Sequence, residues 1–394
     1  MSGRPFLQIP GPTNIPERIL RAMDRAVIDH RGAELPPLVF EIVGGLRRTF
    51  QTRDAAIALF PASGTGATEA AVVNTLNPGD RVLAFNHGAF SHGFAEVARR
   101  HGIVVDEVEL SWDRGVPTDV VADRLRADAA HAYRALLVVH NETSTGATTD
   151  LAGIRRAMDA AGHPALLIVD AVSSLASLEL RFDEWGIDVA LAGSQKGLML
   201  PPGLGIVCIG ARALRRSEEV STPRSFFDWR PVLKEMERGY FPYTPATLLL
   251  FGLREALRLL EEEGLSQVIA RHRRLADAVR AAVRAWGLPI QCREPAEYSH
   301  TLTAVVVPEG TDSDAVRRAA EAHFNLALGA GLGRLAGKVF RIGHLGALND
   351  LEVLATVAGA ELAMTVIGMS VPLGAGVAAA QDVLLKRHLM PAPR

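Results

Sequence analysis

The stretch DEWGIDVALAGSQKG (183–197) runs from a charged turn through the apolar segment DVALAG (188–193) to a lysine beside two glycines. An apolar run of this length between polar and glycine-rich residues predicts a strand buried on both faces of a largely parallel sheet. Lys196 then sits just past the strand's C-terminal end, between Gly193 and Gly197, where open α/β sheets bind their ligands. Lysine is seldom buried without a partner. Desolvation lowers its proton affinity and leaves a usable amine nucleophile for an aldehyde. Taken by itself, the stretch also fits a surface lysine in a glycine turn.

Working outward, AAIALF (55–60), RVLAF (81–85), IVVDEVEL (103–110), ALLVVH (135–140), ALLIVD (165–170) and GIVCIG (205–210) read as further strands. Helix-length patterns at 66–76, 90–100, 118–127 and 150–161 lie between them. The alternation predicts an α/β domain, a mostly parallel mixed sheet flanked by crossover helices. Beyond residue 215 the texture changes. Helical patterns fill 247–262 and 265–286, a strand and turn 300–310, a helix 313–323, a strand 337–344 and a final helix 351–367. We therefore expect an N-terminal segment (1–20), a large α/β domain (21–260) and a smaller C-terminal α+β domain (261–394). Residues 390–394 read as a loose tail.

A chain of 394 residues is too long for one ordinary core, which fits two domains. The net charge of -2, without long runs of either sign, argues against a nucleic-acid or anionic-membrane partner. Cys208 and Cys292 are too far apart in sequence to suggest a disulfide framework or a metal site, so a reducing compartment is expected. The start, MSGRPFLQIPGP, lacks the apolar run of a signal peptide. Residues 362–381 carry no charge but are broken by Gly368, Pro372, Gly374 and Gly376. They read as a helix end and a packed loop, not a membrane span. A cytoplasmic enzyme is the resulting expectation.

Four features accompany Lys196. Asp170 ends ALLIVD, where its carboxylate could keep a pyridine nitrogen protonated and make the ring an electron sink; a turn or capping aspartate is the alternative. FPASGTGATEAAV (60–72) places Ser63, Thr65 and a helix N-terminus after a strand, a phosphate cradle or else a capped glycine turn. It is neither the dinucleotide pattern nor a Walker loop. Arg341 in VFRIGHLG has the planar fork that matches a carboxylate, although a salt-bridged surface arginine reads the same. Phe90 in HGAFSHGF could stack on a flat ring or belong to the core. The order of cradle, carboxylate and lysine, each after a strand, makes the set stronger than any member.

These residues resemble those of the class V aminotransferases of fold type I, and more closely the serine–glyoxylate and alanine–glyoxylate branch. The resemblance runs through PGPTNIP (10–16), LFPASGTGA (59–67), VVHNETSTG (138–146), DEWGIDVALAGSQKG (183–197), YFPYTPAT (240–247), GKVFRIGHLG (337–346) and GAGVAAA (374–380). It implies pyridoxal 5'-phosphate held as a Schiff base by Lys196, with Asp170 as partner of the ring nitrogen. It implies Ser63, Gly64 and Thr65 around the phosphate with Gln195 assisting, Thr143 near the ring hydroxyl, and Phe90 on the ring where many relatives carry tryptophan. Arg341 would bind the substrate carboxylate. Relatives are homodimers with shared active sites; Thr244 matches a position that reaches the neighbour's phosphate, and Tyr240 or Tyr243 is a nearby candidate.

HNETSTG, FFDW and YFPYTPAT look most like the serine–glyoxylate branch, a resemblance that implies L-serine as donor to glyoxylate. IDHR (28–31) and GAFSH (88–92) resemble the aspartate–glyoxylate enzymes, and alanine or ureidoglycine donors are served by the same scaffold. A desulfurase or lyase is disfavoured, since neither cysteine is placed as a nucleophile.

Overall fold

The computed structural model describes residues 5–389; the tail expected at 390–394 lies outside the described residues. The strands are β1 (Phe6–Gln8), β2 (Ala56–Phe60), β3 (Arg81–Asn86), β4 (Val104–Glu109), β5 (Tyr133–Val139), β6 (Asn141–Glu142), β7 (Ala147–Thr148), β8 (Leu166–Asp170), β9 (Val189–Gly193), β10 (Gly205–Ile209), β11 (Leu302–Val306), β12 (Leu326–Ala330) and β13 (Val339–Gly343). Seven of them form one sheet in the order β2-β10-β9-β8-β5-β3-β4. Only β10 runs antiparallel to its neighbours. All seven apolar runs of the first half thus become strands of one sheet, and β9 and β10 are buried along their whole length. Helices on both faces account for that burial.

The second sheet has the order β1-β12-β13-β11. Its edge strand β1 comes from the N-terminus and pairs in parallel with β12, so the chain after β1 starts beside this small sheet and then crosses to the large one. The main apolar core extends to Val268 and a second begins at Leu275. Both lie on helix Leu265–Ala285, which spans the two cores.

Helix Asp350–Val366 is not the last one. A further helix, Ala375–Leu389, packs along Leu265–Ala285. Pro372 and Gly374 break the chain only briefly, and the alanine-rich segment behind them resumes the helix. The connecting loop is fastened by buried Glu361, whose carboxylate accepts from Gly374 N (2.9 Å), Gly376 N (2.7 Å) and Trp286 Nε1 (2.8 Å). No helix among the described residues is long and apolar enough to cross a membrane. Helix Leu35–Phe50 also went unread in the sequence. Pro36 and Pro37 look like breakers but occupy its first turn, where a missing N–H leaves no intrahelical bond unmade.

Candidate active site

The C-terminal ends of β2, β5, β8 and β9 open at one edge of the large sheet, because β2 keeps their direction on the far side of antiparallel β10. The loops behind them enclose a cavity of about 270 Å³. Ser63, Gly64 and Thr65 arrive after β2, Asn141 and Thr143 after β5, Asp170 at the end of β8, and Gln195 and Lys196 after β9. Phe90 comes from the first turn of helix Ala89–Arg100. Residues from five separate segments thus meet on one space.

Lys196 stands in a tight turn, in which Met199 N donates to the Lys196 carbonyl (2.9 Å) and Leu200 N to that of Ser194 (3.0 Å). Gly197 is needed there, since a Cβ would meet the Leu175 carbonyl oxygen at 2.2 Å. The Lys196 ammonium donates to the carbonyl of Pro10. Burial, reinforced by the charge of Arg341 and opposed by Asp170, lowers its pKa from 10.5 to about 8. Near neutral pH an appreciable share of this amine is therefore unprotonated and nucleophilic.

Asp170 Oδ1 accepts from Val172 N (2.8 Å). Burial lifts the carboxyl from 3.8 to about 6; the Val172 bond opposes this, Glu142 adds to it and Lys196 opposes it. A cation placed opposite Asp170 would restore the ionised form, because opposite charges favour each other's charged state.

Helix Gly64–Thr75 begins at the cavity wall. Ser63 is its N-cap, with Oγ accepting from Gly66 N (3.4 Å). The first N–H groups of a helix lack intrahelical partners and attract anions. At Gly64 a Cβ would lie 2.9 Å from Val172 Cγ2, so only glycine keeps the loop this close to the β8 turn. Gln195, which also lines the cavity, has its Oε1 buried without a hydrogen-bond partner, a group that a donor in the cavity would satisfy.

The family model for class V aminotransferases matches residues 6–333, most of the chain. The chain belongs to the class V aminotransferases. Over 392 residues the enzyme is 48% identical to the serine–glyoxylate aminotransferase of Methylorubrum extorquens, covering 98% of each chain. It is 47% identical over 374 residues to the L-aspartate–glyoxylate aminotransferase of Paracoccus denitrificans, covering 95% of this chain and 94% of that one. The crystal structure of ureidoglycine–glyoxylate aminotransferase from Bacillus subtilis matches with a TM-score of 0.90 at 28% identity, over 98% of this chain and 99% of that one. The aminotransferase has the fold type I architecture expected from its sequence.

Arg341 of this aminotransferase does not border the cavity itself. It projects from β13 and is 8% exposed; Nε donates to the Ala330 carbonyl and Nη1 to that of Thr143, each at 2.6 Å. Among the described residues it forms no ion pair. Burial lowers its pKa to about 10, against the pull of Glu142. An arginine with two carbonyl partners and no carboxylate keeps its charge uncompensated for an anion.

Thr244 is exposed and does not border the cavity of its own chain. The Tyr243 hydroxyl donates to the Leu59 carbonyl (2.7 Å), and its ring stacks on Phe226. Tyr240 is half-buried at the rim of the large core.

Sequence reasoning missed three contributors. Asn141 Nδ2 donates to Ser173 Oγ (2.8 Å) and Thr301 Oγ1 (2.9 Å), while its Oδ1 stays buried and unpartnered on the cavity wall. Ser173 returns a bond to the Asn141 carbonyl (2.9 Å). The polar run HNETSTG behind a buried strand carried a signal for Asn141. Pro10 carried none, since it contributes only a backbone carbonyl.

Proposed function

We propose that this aminotransferase uses pyridoxal 5'-phosphate to move the amino group of L-serine to glyoxylate, giving hydroxypyruvate and glycine. The observation that carries the reading is the cavity in which Lys196, with its lowered pKa, faces Asp170 and the N-terminus of helix Gly64–Thr75. These groups fit the cofactor: an amine for its aldehyde, a carboxylate for its ring nitrogen, and helix N–H groups with Ser63 and Thr65 hydroxyls for its phosphate. Gln195, with an orphaned Oε1, adds a polar group on the same wall. Thr143 serves the ring hydroxyl, and Phe90 covers the ring face.

When bound, the cofactor supplies an electrophilic carbon and an electron-withdrawing ring. Asp170 keeps the ring nitrogen protonated. With the cofactor bound, Lys196 Nζ would be the base that takes the proton from the donor's Cα and, in the return half, the acid that delivers one to the Cα of the new glycine. Arg341 orients the donor by its carboxylate and so selects the bond that breaks.

Support for serine as donor comes from the 48% identity to the serine–glyoxylate enzyme of Methylorubrum extorquens. Aspartate is the second reading, favoured by the 47% identity to the Paracoccus denitrificans enzyme. A desulfurase fits poorly: Cys208 and Cys292 are both buried, and burial pushes both thiols up, Cys292 to about 12. We also read the enzyme as a cytoplasmic homodimer in which Thr244 serves the neighbour's phosphate. Its exposure and its absence from its own cavity favour that role.

The test is the visible absorbance of the purified holoenzyme before and after L-serine, L-aspartate and L-alanine, each followed by glyoxylate. Bleaching by serine and recovery with glyoxylate support the reading. Stronger bleaching by aspartate or alanine reassigns the donor, and no cofactor band even after reconstitution removes the whole proposal.

A further inference from the structure

Helix Ala89–Arg100, which carries Phe90, starts without a cap of its own. Its N-cap residue is Gly88, which has no side chain to offer. The N–H groups left bare at such a start need acceptors, and here they come from a turn about fifty residues away. Ala89 N donates to Ser144 Oγ (2.9 Å), and Phe90 N (3.1 Å) and Ser91 N (2.8 Å) donate to Glu142 Oε2. The other oxygen, Glu142 Oε1, accepts from Ser144 N (3.0 Å) and Ser144 Oγ (2.6 Å).

Glu142 is fully buried, and no cationic side chain forms an ion pair with it among the described residues. The helix N-terminus and the donated hydrogen bonds stabilise its charge instead. Gly88 makes the arrangement possible: a Cβ there would fall 2.2 Å from Glu142 Cγ and Cδ. Its φ of 172 is extended backbone open to any residue, so space and not conformation demands glycine. Between Glu142 and Ser144 lies Thr143, whose carbonyl accepts from Arg341 Nη1.

We propose that Glu142 is a positioning residue that locks Phe90 and Arg341 into one rigid unit, so that the face of the cofactor ring and the carboxylate of the donor are held in register. This rests on the pyridoxal-phosphate reading above. A carboxylate used only to stabilise a helix would be replaceable by a local cap. One used for register would not, because a local cap fastens Phe90 without fastening Thr143.

The experiment compares holoenzymes of the wild type, Glu142→Gln, Glu142→Ala and the double variant Gly88→Asp/Glu142→Ala. In the double variant the truncated side chain clears the space beside residue 88, and the aspartate caps the helix locally. Melting temperature, visible circular dichroism of the bound cofactor, its dissociation constant, and KM for the amino donor are measured. Glu142→Gln should weaken cofactor binding and raise the donor KM about tenfold each, the scale of one charge-assisted hydrogen bond. The double variant should recover the melting temperature but not the dichroism or the KM.

Recovery of all of these by the double variant would reduce Glu142 to a plain cap and overturn the proposal, as would a Glu142→Gln enzyme indistinguishable from wild type. Should the Glu142 variants fail to fold, Ser144→Ala, which removes one bond from Glu142 and one from Ala89, must shift dichroism and donor KM in the same direction or the proposal fails. A wild-type protein that binds no cofactor overturns the proposed function first, and this inference with it.

Discussion

Lys196 lies across Gly11. A Cβ at position 11 would stand 2.5 Å from Lys196 Cδ and 2.8 Å from Nζ, while the ammonium donates to the carbonyl of the preceding Pro10. The loop behind β1, an edge strand of the small sheet, thus forms one wall of the lysine's channel. Thr13 continues it, with its N donating to the Gln195 carbonyl (3.2 Å) and its Oγ1 to that of Lys196 (3.3 Å).

Gly11→Ala is therefore expected to destabilise the protein by roughly 1–3 kcal/mol, because φ is +90 at this position and the new methyl strikes Lys196. Thermal melting gives the first effect. Borohydride trapping of the cofactor on Lys196 gives the second, and stoichiometric trapping in the variant would show that the wall does not constrain the lysine.

Replacing Lys196 by alanine removes both the attachment point and the proton carrier. Turnover should fall by at least about 10³-fold, with cofactor bound but no longer reducible onto the chain. Retention of more than a few per cent of activity would mean that another base moves the Cα proton.

The lowered pKa of Lys196 sets the pH at which the apoenzyme captures its cofactor. Below about 8 the protonated ammonium dominates and cannot attack; above it the free amine does. The rate of reconstitution should rise with pH and inflect near 8. Stopped-flow absorbance checks this, and an inflection near the ordinary lysine value of 10.5 would contradict the buried environment.

Arg341→Lys keeps a charge but loses the planar fork. The Thr143 and Ala330 carbonyls lose at least one donor, and kcat/KM for the amino donor should fall about 10- to 100-fold, mostly through KM. Steady-state kinetics with serine and glyoxylate varied separately decides it; a fall confined to kcat would argue against carboxylate binding.

His272 makes the fold sensitive to acid. Its Nδ1 donates to the Val268 carbonyl (2.7 Å) and its Nε2 accepts from Gly346 N (3.0 Å), an arrangement only the neutral ring supports. Burial lowers its pKa from 6.5 to about 3. Between these values the unfolded state binds the extra proton, so stability is full above about 6.5 and declines as pH falls toward 3. His272→Gln should reduce the slope of unfolding free energy against pH in that window by about one proton, as measured by denaturant titration between pH 4 and 7. An unchanged slope would exclude His272 as the source.

The sequence by itself determined the layered α/β core and the local chemistry at the strand ends. Continuous apolar runs of five to seven residues have few stable homes other than a doubly covered sheet, and strand ends in such sheets face the ligand edge. That is why Lys196, Asp170 and the Ser63–Thr65 loop were legible as a set, each following its own run. Helix Ala375–Leu389 was not legible, since a glycine- and proline-broken stretch hides a helix restart that packing against Leu265–Ala285 makes favourable.

Only the tertiary structure decided what crosses between segments. Pro10 reaches Lys196 across 186 positions, Thr143 reaches Arg341 across 198, and Glu142 caps a helix 52 residues earlier. Two of these contacts use backbone carbonyls, which every residue carries and no side-chain pattern marks. The third replaces a local cap with a distant one, and its trace in the sequence, a glycine at position 88, reads as an ordinary turn until the neighbour that fills its space is known.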